Sequence, residues 1–375
     1  MAKKSKHISF FGRIVLFFNY LAALALLLSY SASYISPDTI WPIAFCGLAY
    51  PFILIANIVF ILFWLLSLKK YFLISLITIV IGWNFIGKHI QFNSEQEVIK
   101  SDSTLSIMSF NVKAFHHFNW FKNVDTPIYN KFRSFLKNQN PDIICFQEYY
   151  QRNKTFNITD TLSKHFNLKN YHLGKYENIK NKYFIATFSK FPIVNRGQVI
   201  ENDSIYKCCI FTDILFNKDT IRIYNIHLQS IQLGSEEYLF TDNYDLLNIE
   251  KEETKRIKRG SKNVIKKLKK AFIVRSIQSK KIKEHINNSA YPVIVCGDFN
   301  DTPSSFAYHK ISHKLKDSFV ESGNETGQTY AGKFPSFRID YILHSDDFKS
   351  SNFTTYKEND FSDHFPIYCN INQNK

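Results

Sequence analysis

The stretch Tyr291–Ser305, "YPVIVCGDFNDTPSS", decides how this chain is read. Val293 to Cys296 form an apolar run between Pro292 and Gly297, the pattern of a strand covered on both faces. The run then meets Asp298, Asn300 and Asp301. Burying carboxylates without partners is costly, so a strand that ends this way points its end at something polar. Alternate residues of an extended chain share a face, so Asp298 and Asn300 are expected to project together while Phe299 points away. Asp301, on the other parity, reads as a turn residue leading into Thr302 and Pro303. Gly297 removes a side chain where another group must come close. A carboxylate beside an amide offers a proton acceptor and a neutral donor, which suits a water nucleophile next to an anionic group.

The same signature recurs at other strand ends. "MSFNV" closes an apolar run with Asn111, and "IICFQEY" closes one with Gln147 and Glu148. "IYNIHLQS" sets Asn225 and His227 two apart. "RIDYIL" embeds Asp340 in an apolar strand, and "FSDHFPI" places Asp363 and His364 side by side. Any one of these has a plain structural explanation as a cap or turn. Together they imply convergence, because buried polar groups need partners and find them in one another. One clear Glu with acceptor neighbours suits a hard cation such as magnesium, and two histidines near carboxylates suit charge stabilisation around a phosphate.

The segments between these motifs alternate strand and helix. "YNKFRSFLKNQN" reads as an amphipathic helix, "KYFIATFSKFPIV" as a strand pair or bend, and "CCIFTDILF" with "DTIRIYNIHLQS" as a hairpin turning at Asn217, Lys218 and Asp219. Many short strands with few long helices indicate stacked sheets in an α/β or α+β domain.

In order and spacing, "SFNV", "FQE", "YNIHLQS", "GDFND", "RIDYIL" and "SDHFPI" resemble the endonuclease/exonuclease/phosphatase superfamily of deoxyribonuclease I-like fold, over about residues 105–372. The resemblance implies an α/β four-layer sandwich: two mixed β-sheets flanked by helices. It further implies a metal-dependent phosphoester hydrolase of nuclease or phosphodiesterase type, with Mg2+ (or Mn2+) as cofactor. Residue by residue, Glu148 matches the metal-binding glutamate, with Asn111 beside it and Asp363 completing the metal shell. Asp298 matches the residue that positions or deprotonates the attacking water, and Asn300 the amide that holds a phosphate oxygen. His364 matches the histidine at the scissile phosphate, Asp340 its carboxylate partner, and His227 a stabiliser of phosphoryl oxygens. Gln147 and Asn225 are expected to support these from behind. Arg275 and Gln278 fall where an inward-facing polar pair recurs in the family, and are taken as structural. Lys113, two residues after Asn111, departs from the acidic residue of some related nucleases and leaves Glu148 with less carboxylate help.

The N-terminal part is of a different kind. Residues 14–35, 41–67 and 71–87 carry no charge and each reaches the length needed to cross a bilayer core, so residues 1–88 are expected to form a three-helix membrane anchor joined by a linker, 89–104, to the domain at 105–372. A cleaved signal peptide competes for the first segment. Lys3, Lys4, Lys6 and Arg13 at the N-terminus, and Lys69 and Lys70 in the second connection, place those parts in the cytoplasm. The remainder is then expected outside, in a periplasm if the chain is bacterial, as its Lys, Asn, Ile and Phe bias suggests.

Net charge is +15, and residues 89–375 keep +9 once the +6 of residues 1–88 is set aside. Such a balance favours anionic partners, nucleic acid or phospholipid head groups. Residues 251–270 hold ten Lys or Arg, with Ile265, Leu268 and Phe272 at helical spacing. They form either a solvated helix face or a basic element for lipid or substrate. The six cysteines lack zinc-site spacing and read as buried free thiols. A membrane-anchored binding protein that keeps the fold without catalysis is the competing class of function.

Overall fold

Strand alternation explains how the layers form. In the computed structural model, which describes residues 8–93, 103–116, 127–150, 158–175, 183–200, 208–231, 251–332, 337–358 and 361–374, two six-stranded sheets stack. One runs β13(Phe348–Thr355), β14(Ile367–Gln373), β2(Thr104–Asn111), β3(Ile143–Tyr150), β5(Tyr183–Ser189), β4(Asn170–Lys175). The other runs β10(Lys316–Asp317), β12(Asp340–His344), β9(Val293–Asp298), β8(Asp219–His227), β7(Cys209–Phe216), β6(Ile193–Gln198). Each has one parallel pair at its centre, β2 with β3 and β8 with β9, among antiparallel neighbours. The mixed-sheet expectation is met.

One parity of each strand faces the other sheet. Leu105, Ile107, Ile143, Cys145, Ile221, Ile223, Ile294 and Cys296 fill the space between the sheets. The opposite parity, including Phe110, Phe146, Tyr224 and Val295, packs outward. Helices Pro127–Gln139, Ile158–Phe166, Lys251–Asn287 and Phe306–Ser312 flank the sheets. All six cysteines are free, and Cys145, Cys296 and Cys369 lie in the inter-sheet core. The hairpin between β7 and β8 turns through Asn217 and Lys218, both at positive φ (50° and 75°), as a two-residue primed turn requires. "KYFIATFSKFPIV" proves to be two strands in different sheets, the chain crossing between them at Lys190–Pro192.

The N-terminal helices differ from the expectation of three spans. Among the described residues only α1(Phe10–Ser31) is long and apolar enough to cross a membrane. The second segment breaks into α2(Pro42–Leu48) and α3(Tyr50–Leu66), bent by 67°, where Pro51 follows Gly47 and interrupts the hydrogen-bond ladder. The third yields α4(Phe72–Ile81), stopped at Gly82, and the short α5(Trp83–Ile86). A buried polar chain ties these helices together. Asn19 Nδ2 donates to Ser75 Oγ at 2.6 Å, Ser75 Oγ to Asn57 Oδ1 at 2.8 Å, and Trp64 Nε1 to Asn19 Oδ1 at 2.9 Å. Such bonds hold helices together where apolar contact discriminates poorly.

The helical part and the sandwich are packed on each other. Lys280 bonds Asp38 at 2.7 Å, Phe45 meets Phe272 edge-on at 5.2 Å, and His89 Nε2 lies 3.1 Å from Ser304 Oγ. A Cβ at Gly47 would sit 2.7 Å from the Ser304 carbonyl oxygen, so only glycine admits this approach. The expected linker contributes β1(Ile90–Phe92), paired with β11(Asn324–Thr326). Residues 94–102 of that linker, and the acidic-aromatic run 232–250, lie outside the described residues.

Candidate active site

Register brings the predicted residues to one end of the inter-sheet core. In the parallel pairs Asn111 aligns with Gln147, and His227 with Asp298; in the antiparallel pair Asp340 aligns with Asp298. Asn111, Gln147, Asn225, His227, Asp298 and Asp340 all share the parity of the inter-sheet apolar residues, so the core itself carries them to the rim.

Asp298 is the hub. Its Oδ1 accepts the Asn300 backbone N–H at 2.7 Å, and its Oδ2 accepts Asn111 Nδ2 and Asn300 Nδ2, each at 3.0 Å. His227 Nε2 and His364 Nε2 both lie 3.7 Å from Oδ2. Asp298 and Asn300 thus meet as expected, but by a turn rather than by strand parity. The strand stops at Asp298, and Asn300 bends back at φ 52°. The Asn300 amide is turned inward, donating also to Leu228 O at 3.1 Å. Asp301 is in the turn but is more than a turn residue: its carboxylate is buried 3.0 Å from Arg275, whose guanidinium also donates to Asn300 O. Burial pushes the Asp301 carboxyl up, against the pull of Arg275. Gln278 accepts the Gln229 N–H at 3.0 Å, so both members of the helix pair support the loops around the site.

His364 is held by its Nδ1, 3.0 Å from Asp340 Oδ2. Burial disfavours its charge, yet the carboxylates of Asp340 and Asp298 prevail and raise its pKa to about 10. Its Nε2 faces Asp298 Oδ2 at 3.7 Å. Burial in turn raises Asp340. Thr329, which carries no sequence signal, accepts the Asp340 N–H at 3.1 Å and fixes the start of β12. Tyr330 packs its ring 5.2 Å from His364.

Behind these, Asn225 spans the two sheets. Its Nδ2 donates to Phe146 O (3.2 Å) and Ala186 O (3.0 Å), and its Oδ1 accepts Gln147 Nε2 at 2.8 Å. Glu148 reaches the rim against parity: β3 slips register between Phe146 and Tyr149, and Glu148 sits at φ 49°. Its carboxylate is 34 % exposed, 3.5 Å from Asn111 Nδ2 and 3.6 Å from His227 Nε2, a buried nitrogen without a hydrogen-bond partner.

Asp298, Asp340 and His364 bring ligand atoms within 4.8 Å of one another. They make a poor cation cage, because Asp340 is spent on His364 and the Asp298 oxygens already accept three N–H groups. Glu148 fits a hard divalent cation better. Among the described site carboxylates it is the most exposed, at 34 %, and its one neighbouring donor, Asn111 Nδ2, is at 3.5 Å, which leaves acceptor capacity; magnesium binds through one or two carboxylates while keeping waters. Asp363, expected in the metal shell, holds the Lys113 ammonium at 2.6 Å. Burial would raise Asp363, but His364 and Lys113 pull it below the usual range. Residues 113–115 all take positive φ, and this left-handed run swings Lys113 toward the site.

Residues 108–364 match the model described as "Endonuclease/Exonuclease/phosphatase family", and residues 12–89 match one described as a domain of unknown function. No curated protein matches the chain. Similar solved structures include humanized D. rerio TDP2 carrying 14 mutations, at 16 % identity and TM-score 0.48, covering 72 % of this chain and 100 % of that one. A Leptotrichia buccalis endonuclease/exonuclease/phosphatase family protein shows 17 % identity and TM-score 0.47, covering 72 % and 100 %. A Bacteroides thetaiotaomicron protein of the same description shows 17 % and 0.46, covering 75 % and 97 %.

Proposed function

We propose, from the premise that this chain belongs to the endonuclease/exonuclease/phosphatase family and is a phosphoester hydrolase, that it is divalent-metal-dependent and works at a membrane surface. The convergence on Asp298 carries the reading. Asp298 takes the proton of a water that attacks phosphorus; the P–O bond to the leaving group breaks as the new one forms. His364, oriented by Asp340, donates Nε2–H to a phosphoryl oxygen, and His227 Nε2, which makes no hydrogen bond to Glu148 or Asp298 beside it, donates to another. Asn111 and Asn300 hold Asp298 in place. Glu148 and Asn111 would hold the cation, Mg2+ or Mn2+, which supplies charge neutralisation at the phosphate when bound.

The membrane reading rests on the apolar α1, whose single charged residue, Arg13, lies in its first turn, and on which end of it meets the sandwich. Lys3, Lys4 and Lys6 precede α1 and Arg13 lies in its first turn, while the sandwich packs on Asp38, Phe45 and Gly47, which follow it. With the cationic end in the cytoplasm, the catalytic domain lies on the outer side, however many of the later helices cross.

Nucleic acid and phospholipid head groups are the two substrate classes. The +9 balance of residues 89–375 suits either. The contact between Gly47 and Ser304 favours head groups: Ser304 follows Asn300 by at most about 14 Å of extended chain, so the rim of the site sits close to the membrane end of the helices. The test is hydrolysis by the purified full chain of plasmid DNA, choline-headed and anionic liposomes, and soluble phosphomonoesters, with Mg2+, with Mn2+ and with chelator. Metal-dependent turnover of one class is expected; no turnover of any class would refute the proposal.

A further inference from the structure

The basic run that stood out in the sequence forms the N-terminal half of helix Lys251–Asn287, and the chemistry above leaves it unused. At 3.6 residues per turn, Lys262 lies about 20° and Ile265 about 40° around the axis from Lys269, with Lys266 and Phe272 about 60° to either side. These five residues form one stripe. Two of them touch the N-terminal helices: Lys269 Nζ lies 4.8 Å above the Trp41 ring, and Phe272 packs on Phe45. Trp41 and Phe45 belong to the end of those helices remote from the cationic N-terminus. Toward its N-terminus the stripe runs on past them. Lys262 and Lys266 are exposed there, and Ile265, beside them on the Phe272 side of the stripe, is 49 % exposed.

A face whose last turn touches the anchor beside Trp41 looks, one and two turns earlier, at whatever surrounds the anchor. An isoleucine beside a row of lysines, one of which lies over a tryptophan, is the composition of a helix face lying in the head-group layer. We infer that this stripe rests on anionic head groups of the bilayer that holds the N-terminal helices, Lys262 and Lys266 meeting lipid phosphates and Ile265 entering the acyl boundary. The inference rests on the membrane reading above. It gives the helix a second task, because Arg275 on the same helix grips Asp301 and the Asn300 carbonyl, so seating the helix on lipid fixes the height of the site's rim.

The test is hydrogen exchange over residues 259–272 in the full chain, held in nanodiscs of phosphatidylcholine alone or with phosphatidylglycerol. Two lysines near an anionic surface predict a slowing of roughly tenfold or more with phosphatidylglycerol, erased by high salt and by K262E/K266E or K262Q/K266Q. Exchange in β9 should stay the same throughout. Equal exchange in both discs, or protection by a DNA duplex in place of the anionic lipid, overturns the inference. Alkaline carbonate extraction separates the two failures: release of the chain from membranes sinks the anchor reading, whereas retention with uniform exchange sinks only the role of the stripe.

Discussion

Asp298→Asn is the most direct perturbation of the proposed mechanism. The carboxylate accepts one backbone N–H at 2.7 Å on Oδ1 and two side-chain amides at 3.0 Å on Oδ2. An asparagine must turn its NH2 to one side or the other. The less costly orientation keeps an oxygen toward Asn111 and Asn300 Nδ2 and sets an NH2 against the Asn300 N–H. One charge-assisted bond is lost, worth about 1.5–3 kcal/mol, and the other two weaken to neutral bonds, so the total is about 2–4 kcal/mol. For a domain of this size the thermal midpoint should fall on the order of 5–10 °C. Loss of the proton acceptor should lower kcat/KM by about 10²–10⁴. The metal concentration for half-maximal binding, read by calorimetry, should move less than about threefold, since Glu148 is untouched. Activity within about fivefold of the parent would show that Asp298 does not take the proton, and a large shift in metal affinity would place the cation on Asp298 instead.

Glu148→Gln should raise the half-saturating Mg2+ concentration by about tenfold or more in the same titration, with little change in thermal midpoint, because the side chain is partly exposed; unchanged affinity would locate the metal elsewhere. Gly297→Ala should prevent folding, at a cost above about 4 kcal/mol: Gly297 has φ 145°, and a Cβ there would lie 1.9 Å from the Ile226 carbonyl oxygen of β8, so a variant melting close to the parent would refute the register drawn here. Glu321 ties helix Ser318–Ser322 to β13; burial opposes its charge, but the bonds from His344 and Ser350 hold its pKa down at about 2 against an ordinary 4.5. The folded value being the lower one, its stabilisation is complete above about pH 4.5 and is lost as pH falls toward 2. Glu321→Gln should therefore cost about 1–2 kcal/mol near neutrality, discounted for partial exposure, and the gap from the parent should close below pH 4 in thermal melts; a constant gap would rule out the linkage.

Much of the site was legible because strand periodicity and side-chain chemistry are both local. Asn111, Gln147, Asn225, His227, Asp298 and Asp340 share the parity of the apolar residues that fill the inter-sheet core, and that parity is written in the order of residues. The motif order "SFNV" to "SDHFPI" named the family before any coordinate did, and the family match over residues 108–364 agrees. Lys113 was visible as a departure, but its partner Asp363 is 250 positions away and no local pattern couples the two.

What only the tertiary structure decided has a common cause: each such feature depends on a break in periodicity or a contact between distant segments. Glu148 has the wrong parity for the site and reaches it because β3 slips register and the backbone takes φ 49°. Asn300 joins Asp298 through a turn, since the strand ends one residue too early for alternation to do it. Uncharged composition marked three apolar segments, but Pro51 and Gly82 break two of them, so that among the described residues one unbroken helix is long enough to span. The lysines of 251–270 were countable from the sequence, whereas the direction they face was set only when Lys269 met Trp41. Composition and alternation are properties of a chain segment, while register slips, turns and docking are settled by what lies on the other side of the contact.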